Sequence, residues 1–171
     1  MKLLIVDDEE LTRTGVISSI DWQSIGIREV LQADDGINGI EVARVHRPDI
    51  VLCDVRMPRL DGIAMLERLE EILPDIVPVF MSGYSDKEYL KAAIKLKAVN
   101  YIEKPLNPVE IRDAIMEARD LCLEKKRTRQ NASIHSMESA SRLALLLTQP
   151  FAHAKESIDQ LIAELSLSIS N

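Results

Sequence analysis

Five short apolar runs, each followed by a stretch of helical period or by turn residues that open one, constrain this chain more than any other feature. The third run shows the pattern most sharply. Arg47-Pro48 makes a turn, Ile50, Val51, Leu52 and Cys53 follow without a polar interruption, and the run ends on a carboxylate, Asp54. Such a run reads as a strand covered on both faces. Lys2–Val6 is similar and gives way to Asp7-Asp8-Glu9-Glu10, and Glu29–Ala33, 76–81 and 99–102 complete the set.

The intervening stretches carry the 3.6-residue period. Leu11, Val16, Ile17 and Ile20 suit a helix over 9–20 with an acidic first turn, which complements its dipole. Asp34-Asp35-Gly36 is turn chemistry, and Ile37, Ile40, Ala43 and Val45 give the next helix, to about His46. Ile63, Leu66, Leu69 and Ile72 form a third stripe that stops before Pro74, and Tyr89, Ala92, Ala93 and Leu96 a fourth over 86–97. Asn107-Pro108 opens the fifth, as an N-cap with proline at the first helical position. The loop over 21–26 holds Trp22, read as a packing plug.

Strands alternating with helices predict an α/β fold: an open, doubly wound, mostly parallel five-stranded sheet with helices on both faces. Ligands of such sheets bind outside the carboxyl ends of the strands, where the strand order reverses. This sequence puts Asp7 and Asp8 after the first strand, Asp54 after the third, Ser82 after the fourth and Lys104 after the fifth. Three acids, a hydroxyl and an ammonium therefore share one rim. Carboxylates held together raise each other's pKa values, and a hard divalent cation relieves this. Mg²⁺ takes oxygen ligands of this kind, commonly with a substrate phosphate. A carboxylate can also act as a nucleophile toward phosphorus. Phosphoryl transfer then needs mainly positioning and charge neutralisation, for which Mg²⁺, Lys104 and Ser82 could each meet one oxygen.

Residues 1–120 resemble the receiver domain of two-component response regulators. The likeness runs through Val6-Asp7-Asp8-Glu9, Asp54 with Met57-Pro58 and Asp61-Gly62 behind it, Ser82-Gly83, and Tyr101 three residues before Lys104-Pro105. It implies a flavodoxin-like receiver fold and a phosphorylation-activated signalling switch. Asp54 would accept a phosphoryl group from a phosphohistidine on a sensor histidine kinase. Asp7, Asp8, Asp54 and the backbone carbonyl of Arg56 would hold Mg²⁺, Lys104 would contact the phosphoryl group through a cis Lys104-Pro105 peptide, and Ser82 and Tyr101 would form the switch pair. The chain would catalyse only its own phosphorylation and dephosphorylation. Lys97, where the family usually has glycine, and Gly83, where alanine is common, depart from the pattern. Arg56, two residues past the acceptor, is expected to affect hydrolysis of the acyl phosphate.

Other residues get plainer readings. Asp61 is structural, in a turn with Gly62. Tyr101 by itself would be a half-buried packing residue, and His46, His135 and His153 are isolated. Cys53 and Cys122 make neither a disulfide framework nor a metal quartet. A net charge of −7 speaks against a nucleic-acid-binding body. The amino terminus lacks a signal-peptide layout and no apolar run has the length of a membrane span, so the cytoplasm is expected.

Charge divides the chain. Residues 1–120 hold 15 Lys and Arg against 23 Asp and Glu, whereas 121–171 hold 6 against 5. The expected organisation is a receiver over 1–120 and a helical linker or extension over 121–171. The last receiver helix, with Ile111, Ile115, Ala118, Leu121 and Cys122 on one side, could run on past Lys125-Lys126-Arg127-Thr128-Arg129, a basic cluster read as a solvated helix face. Met137, Leu143, Leu146 and Leu147 suggest another helical segment ended by Gln149-Pro150, and 157–167 an amphipathic helix. These stripes are too short for a core of their own. They would pack on the receiver, on each other or on a second subunit, which makes a homodimer on phosphorylation the expected assembly. The Trp22 loop and the helical continuation look similar to regulators with an AraC-type output domain, so DNA is expected to be contacted only through an output domain outside these residues. Two competing readings are a phosphorylation-independent interaction module and an aspartate-nucleophile phosphohydrolase. The latter wants a second acid two residues after the nucleophile, where Arg56 stands.

Overall fold

The computed structural model describes residues 1–83, 95, 96 and 98–147. Along the chain come β1 (Lys2–Val6), α1 (Glu10–Ser19), β2 (Glu29–Ala33), α2 (Gly36–His46), β3 (Ile50–Asp54), α3 (Gly62–Ile72), β4 (Val77–Ser82), β5 (Asn100–Glu103) and α4 (Pro108–Leu147). All pairings are parallel and the strand order is β2-β1-β3-β4-β5, so the order reverses between β1 and β3. This is the doubly wound sheet that the alternating pattern predicts.

The central strands explain their composition. Leu3 to Val6 and Ile50 to Cys53 are wholly buried, because helices cover both faces of the sheet. On one face Leu3, Ile5, Ile50 and Leu52 pack with Val16 of α1 and with Ile111, Ile115 and Ala118 of α4. On the other, Leu4, Val6, Val51 and Phe80 pack with Ala43 of α2 and with Met65, Leu66 and Leu69 of α3. Each large apolar side chain buried this way contributes roughly 1.5–3 kcal/mol. Trp22 joins the first face, buried to 8% exposure, with Nε1 donating to the Ile17 carbonyl at 2.9 Å.

The structure shifts some expected boundaries. β4 and β5 each run one residue further than the apolar runs, ending on Ser82 and Glu103, because a strand's hydrogen bonding continues past its last apolar residue. The buried face of α3 is Gly62, Met65, Leu66 and Leu69, with Ile63 and Ile72 only packed against it. A larger correction concerns the carboxyl-terminal part. The segment around 137–147 is no separate helix but the end of a single 40-residue α4. Nothing between Pro108 and Gln149 is glycine or proline, so no residue there breaks the hydrogen-bond ladder. Lys126, Arg127 and Arg129 are exposed on it, as a solvated face requires.

Met1–Glu124 forms one compact unit and the chain from Lys125 onward a second. The helix expected over 86–97 lies almost wholly outside the described residues, and the one over 157–167 entirely so. Among the described residues no helix is long and apolar enough to cross a membrane.

Candidate functional site

Strand register assembles the rim. Val6 lies opposite Cys53 in the β1–β3 pair, so the next residues, Asp7 and Asp54, leave the sheet side by side at the point where the strand order reverses. Asp54 is opposite Met81, whose carbonyl accepts from the Val55 N–H at 3.0 Å. Ser82 is opposite Glu103, and the Lys104 N–H donates to the Ser82 carbonyl at 2.8 Å. Residues far apart in sequence thus meet at one end of the sheet because their strands are in register.

Asp7, Asp8 and Asp54 each bring a carboxylate oxygen to within 4.8 Å of the others. Asp7 and Asp54 are buried and Asp8 is exposed. Lys104 Nζ reaches between them, 2.9 Å from Asp7 Oδ2 and 2.6 Å from Asp54 Oδ2. Asp7 Oδ1 accepts from the Glu9 N–H at 2.9 Å, and Asp54 Oδ1 from the Arg56 N–H at 3.1 Å. Burial pushes the Asp7 carboxyl above the usual range, against the opposing pull of Lys104 and the Glu9 N–H. Burial by itself lowers the Lys104 ammonium, but its hydrogen bonds to Asp54 and Asp7 outweigh that and hold it above 10.5. The Cys53 thiol, directly before Asp54, is driven well up by burial and then by the neighbouring acids, which keeps it protonated.

Backbone features around the rim are as specific as the charges. A Cβ on Gly62 would lie 2.2 Å from the Asp54 carbonyl oxygen, so only glycine lets α3 start this close to β3. The Gly62 N–H donates to Val55 O at 3.0 Å, while Asp61 caps α3 by accepting from the Ala64 N–H at 2.7 Å, which supports its structural reading. Buried Asp35 caps α2 through Asn38 N and pairs with Arg59, which stands in the left-handed region at φ 66°. The Gly36 N–H also reaches Leu60 O at 3.2 Å, so the β2–α2 and β3–α3 loops are tied together. Arg13 of α1 donates from Nη1 to the Asp7 carbonyl at 2.7 Å.

Ser82 is 1% exposed at the end of β4, and Tyr101 is half-buried on β5 against the α2–α3 side of the core. Lys104-Pro105 is a cis peptide. A Cβ at Gly83 would meet nothing within 4 Å, so the alanine common in the family would fit. The Arg56 side chain is exposed. His46 sits away from the rim, 4.0 Å from Glu29. Lys97, the His135 side chain and His153 lie outside what is described. Sequence pattern gave no role to Arg13 or Arg59, and for Asp35 only its place in a turn. The one available signal was that Arg13 is the sole cation of a helix that begins acidic.

The donor set suits a hard divalent ion. It is all oxygen, carries three negative charges against one paired lysine, and includes an exposed member that leaves an open side. Asp7, Asp8 and Asp54 are the residues that could hold Mg²⁺.

A parallel five-stranded sheet with helices on both faces and this polar rim at its switch point is the receiver architecture. Residues 3–116 match the response regulator receiver domain, and the chain belongs to that family. The solved structure of a two-component transcriptional regulator AraC from Clostridium phytofermentans is 45% identical, covering 75% of this chain and 98% of that one, with a TM-score of 0.67. The receiver domain of AraT, a response regulator of Geobacillus stearothermophilus, is 31% identical over 75% of this chain and 97% of that one, with a TM-score of 0.65. Among curated relatives, the uncharacterized transcriptional regulatory protein YesN of Bacillus subtilis is 30% identical over 74% of this chain and 36% of its own length. An uncharacterized response regulatory protein of Staphylococcus epidermidis is 29% identical over 79% of this chain and 53% of its own. The chain spans about half the length of the curated relatives it matches.

Proposed function

We propose that the chain is a phosphorylation-activated switch in which Asp54 accepts a phosphoryl group from a phosphohistidine of a sensor histidine kinase. The observation that carries this reading is the position of Asp54: inside the acid cluster, with Lys104 Nζ 2.6 Å from its Oδ2. A carboxylate oxygen of Asp54 would form the new P–O bond as the P–N bond to the imidazole breaks, the electron pair leaving with the ring nitrogen. Asp7, Asp8, Asp54 and the Arg56 carbonyl would hold Mg²⁺, which when bound neutralises charge on the transferring oxygens. Lys104, already at hydrogen-bonding distance from the acceptor, would follow the charge onto a phosphoryl oxygen. The Ser82 hydroxyl would take another, with Tyr101 turning inward into the space beside it.

The signal is an energy difference between two conformations. A phosphoryl group adds roughly −1.5 to −2 charges and three strong acceptors. Shifting an inactive-to-active ratio from 1:99 to 99:1 needs about 5.5 kcal/mol. Two charge-assisted hydrogen bonds of about 1.5–3 kcal/mol each, from Lys104 and Ser82, are of that order. We further propose a receiver over 1–120 with a helical extension, a homodimer on phosphorylation, and an output in transcription. The last rests on the names of the relatives and is a reading of the whole protein.

Acetyl phosphate with Mg²⁺, followed by intact-mass measurement, tests the chemistry. The expected result is a lasting gain of one phosphoryl group that vanishes in Asp54→Asn and in EDTA. Rapid release of phosphate from unrelated monoesters would favour a phosphohydrolase instead, and no gain at all a module that works without phosphorylation.

A further inference from the structure

We infer that Arg13 is a positioning residue for the acidic rim, holding the peptide between Asp7 and Asp8 from outside the ligand set. The inference rests on reading Asp7, Asp8 and Asp54 as the Mg²⁺ and phosphoacceptor site. The Asp7 carbonyl belongs to the peptide that joins two of the three clustered acids, and Arg13 Nη1 donates to it at 2.7 Å. The other polar atoms of Asp7 are held as well. Its N–H donates to Ala33 O at 3.3 Å, Oδ1 accepts from Glu9 N at 2.9 Å, and Oδ2 from Lys104 Nζ at 2.9 Å. Three of these four restraints come from the main chain or from a residue of the proposed chemistry. Arg13 supplies the fourth, the one made to the Asp7 carbonyl, which belongs to the peptide leading to Asp8.

The guanidinium is not there for its own satisfaction. Its Nε is buried without a hydrogen-bond partner among the described residues. A side chain selected only to cover the β1–α1 corner would not carry a polar group into that place, because burying an unpaired donor is unfavourable. What this geometry gains is the hydrogen bond to the Asp7 carbonyl, with an attraction to the Asp34 carboxylate beside it.

A cation here has a consequence that separates positioning from charge. Arg13 lies beside carboxylates that would bind a divalent cation, so on Coulomb grounds alone its removal would tighten Mg²⁺ binding. Positioning predicts the opposite sign. Partners outside the ligand set that orient ligands typically change metal affinity 10–100-fold when lost.

The test is calorimetric titration of the full chain with Mg²⁺. Arg13→Met is expected to bind Mg²⁺ at least about tenfold more weakly than wild type. Arg13→Lys, which keeps the charge and one donor, should recover part of that loss. Circular dichroism and thermal melting in EDTA report whether each variant is folded. Should Arg13→Met not fold, Arg13→Gln carries the same comparison with a smaller change in volume. Equal or tighter Mg²⁺ binding by a folded neutral variant overturns the inference, including the case where metal-free stability falls and affinity does not. Wild type that binds no Mg²⁺ overturns the underlying site reading, a distinguishable failure.

Discussion

The two ends of the sheet carry similar residues and organise them differently. At the amino-terminal edge, charges meet their opposites at the surface. Lys2 Nζ is 3.3 Å from Glu29 and also donates to the His46 carbonyl, Asp49 accepts from the Lys2 N–H at 2.8 Å, and the terminal ammonium donates to Gly26 O. At the carboxyl end, three acids cluster together, and one lysine pairs with the two that are buried, Asp7 and Asp54. Exposed, matched pairs contribute little and bind nothing further. A buried surplus of one sign costs stability in the metal-free protein and is the source of affinity for a cation. Under the proposed function, this imbalance is what the divalent cation would meet.

The largest expected stability effect comes from the backbone that fixes this surplus. Gly62→Ala would place a Cβ 2.2 Å from the Asp54 carbonyl oxygen, and neither the strand nor the helix start can yield freely. Overpacking of this kind costs about 3 kcal/mol. Urea unfolding should show that loss, together with weaker Mg²⁺ binding, since Asp54 itself must move. Gly83→Ala serves as the control, because a Cβ there meets nothing within 4 Å and its unfolding midpoint should barely change.

The next effect is in pH dependence, measured in EDTA. The folded pKa of Asp7 is raised above 3.8, chiefly by burial, so the folded state binds the proton more tightly than the unfolded chain does. Its penalty is full above the folded pKa and relieved as pH falls through that value toward 3.8. The stability of wild type relative to Asp7→Asn should therefore rise on acidification through this window. Lys104 has the opposite arrangement. Its folded pKa lies above 10.5, so its contribution is complete below 10.5 and disappears as pH rises through the folded value. Wild type should lose stability there relative to Lys104→Met. A flat difference for Asp7 would mean that burial does not outweigh the pull of Lys104, and a flat difference for Lys104 that its contacts to Asp54 and Asp7 do not outweigh burial.

Much of this rim was legible in the sequence because strands end at, or one residue past, the end of an apolar run. Asp7, Asp54, Ser82 and Lys104 could each be placed at a strand terminus from local pattern alone, and parallel pairing then brings such termini together. What local pattern does not carry is which backbone atoms touch. That Gly62 sits against the Asp54 carbonyl, that Arg13 bonds the Asp7 carbonyl, and that Asp35 ties Arg59 across two loops all depend on contacts between separate elements. The length of α4 was missed for a different reason. Apolar spacing changes near Lys125, which suggests a boundary, but a helix without glycine or proline persists through such a change.

The smallest expected effect bears most directly on the contrast between the two ends. Glu29→Gln removes one negative charge from the amino-terminal edge, as Asp8→Asn does from the rim. The Lys2–Glu29 side chains are 41% and 43% exposed, so their pair contributes about 0.2–1 kcal/mol, less at high salt. A five-residue strand spans roughly 16 Å at about 3.3 Å per residue, two screening lengths of about 8 Å at physiological ionic strength. The edge charge is therefore screened from the acid cluster. Glu29→Gln should leave Mg²⁺ affinity within experimental error of wild type, while Asp8→Asn weakens it severalfold by removing a ligand. If the two substitutions weakened Mg²⁺ binding equally, net charge rather than the convergence of Asp7, Asp8 and Asp54 would control the site, and the contrast between the ends of the sheet would carry no functional meaning.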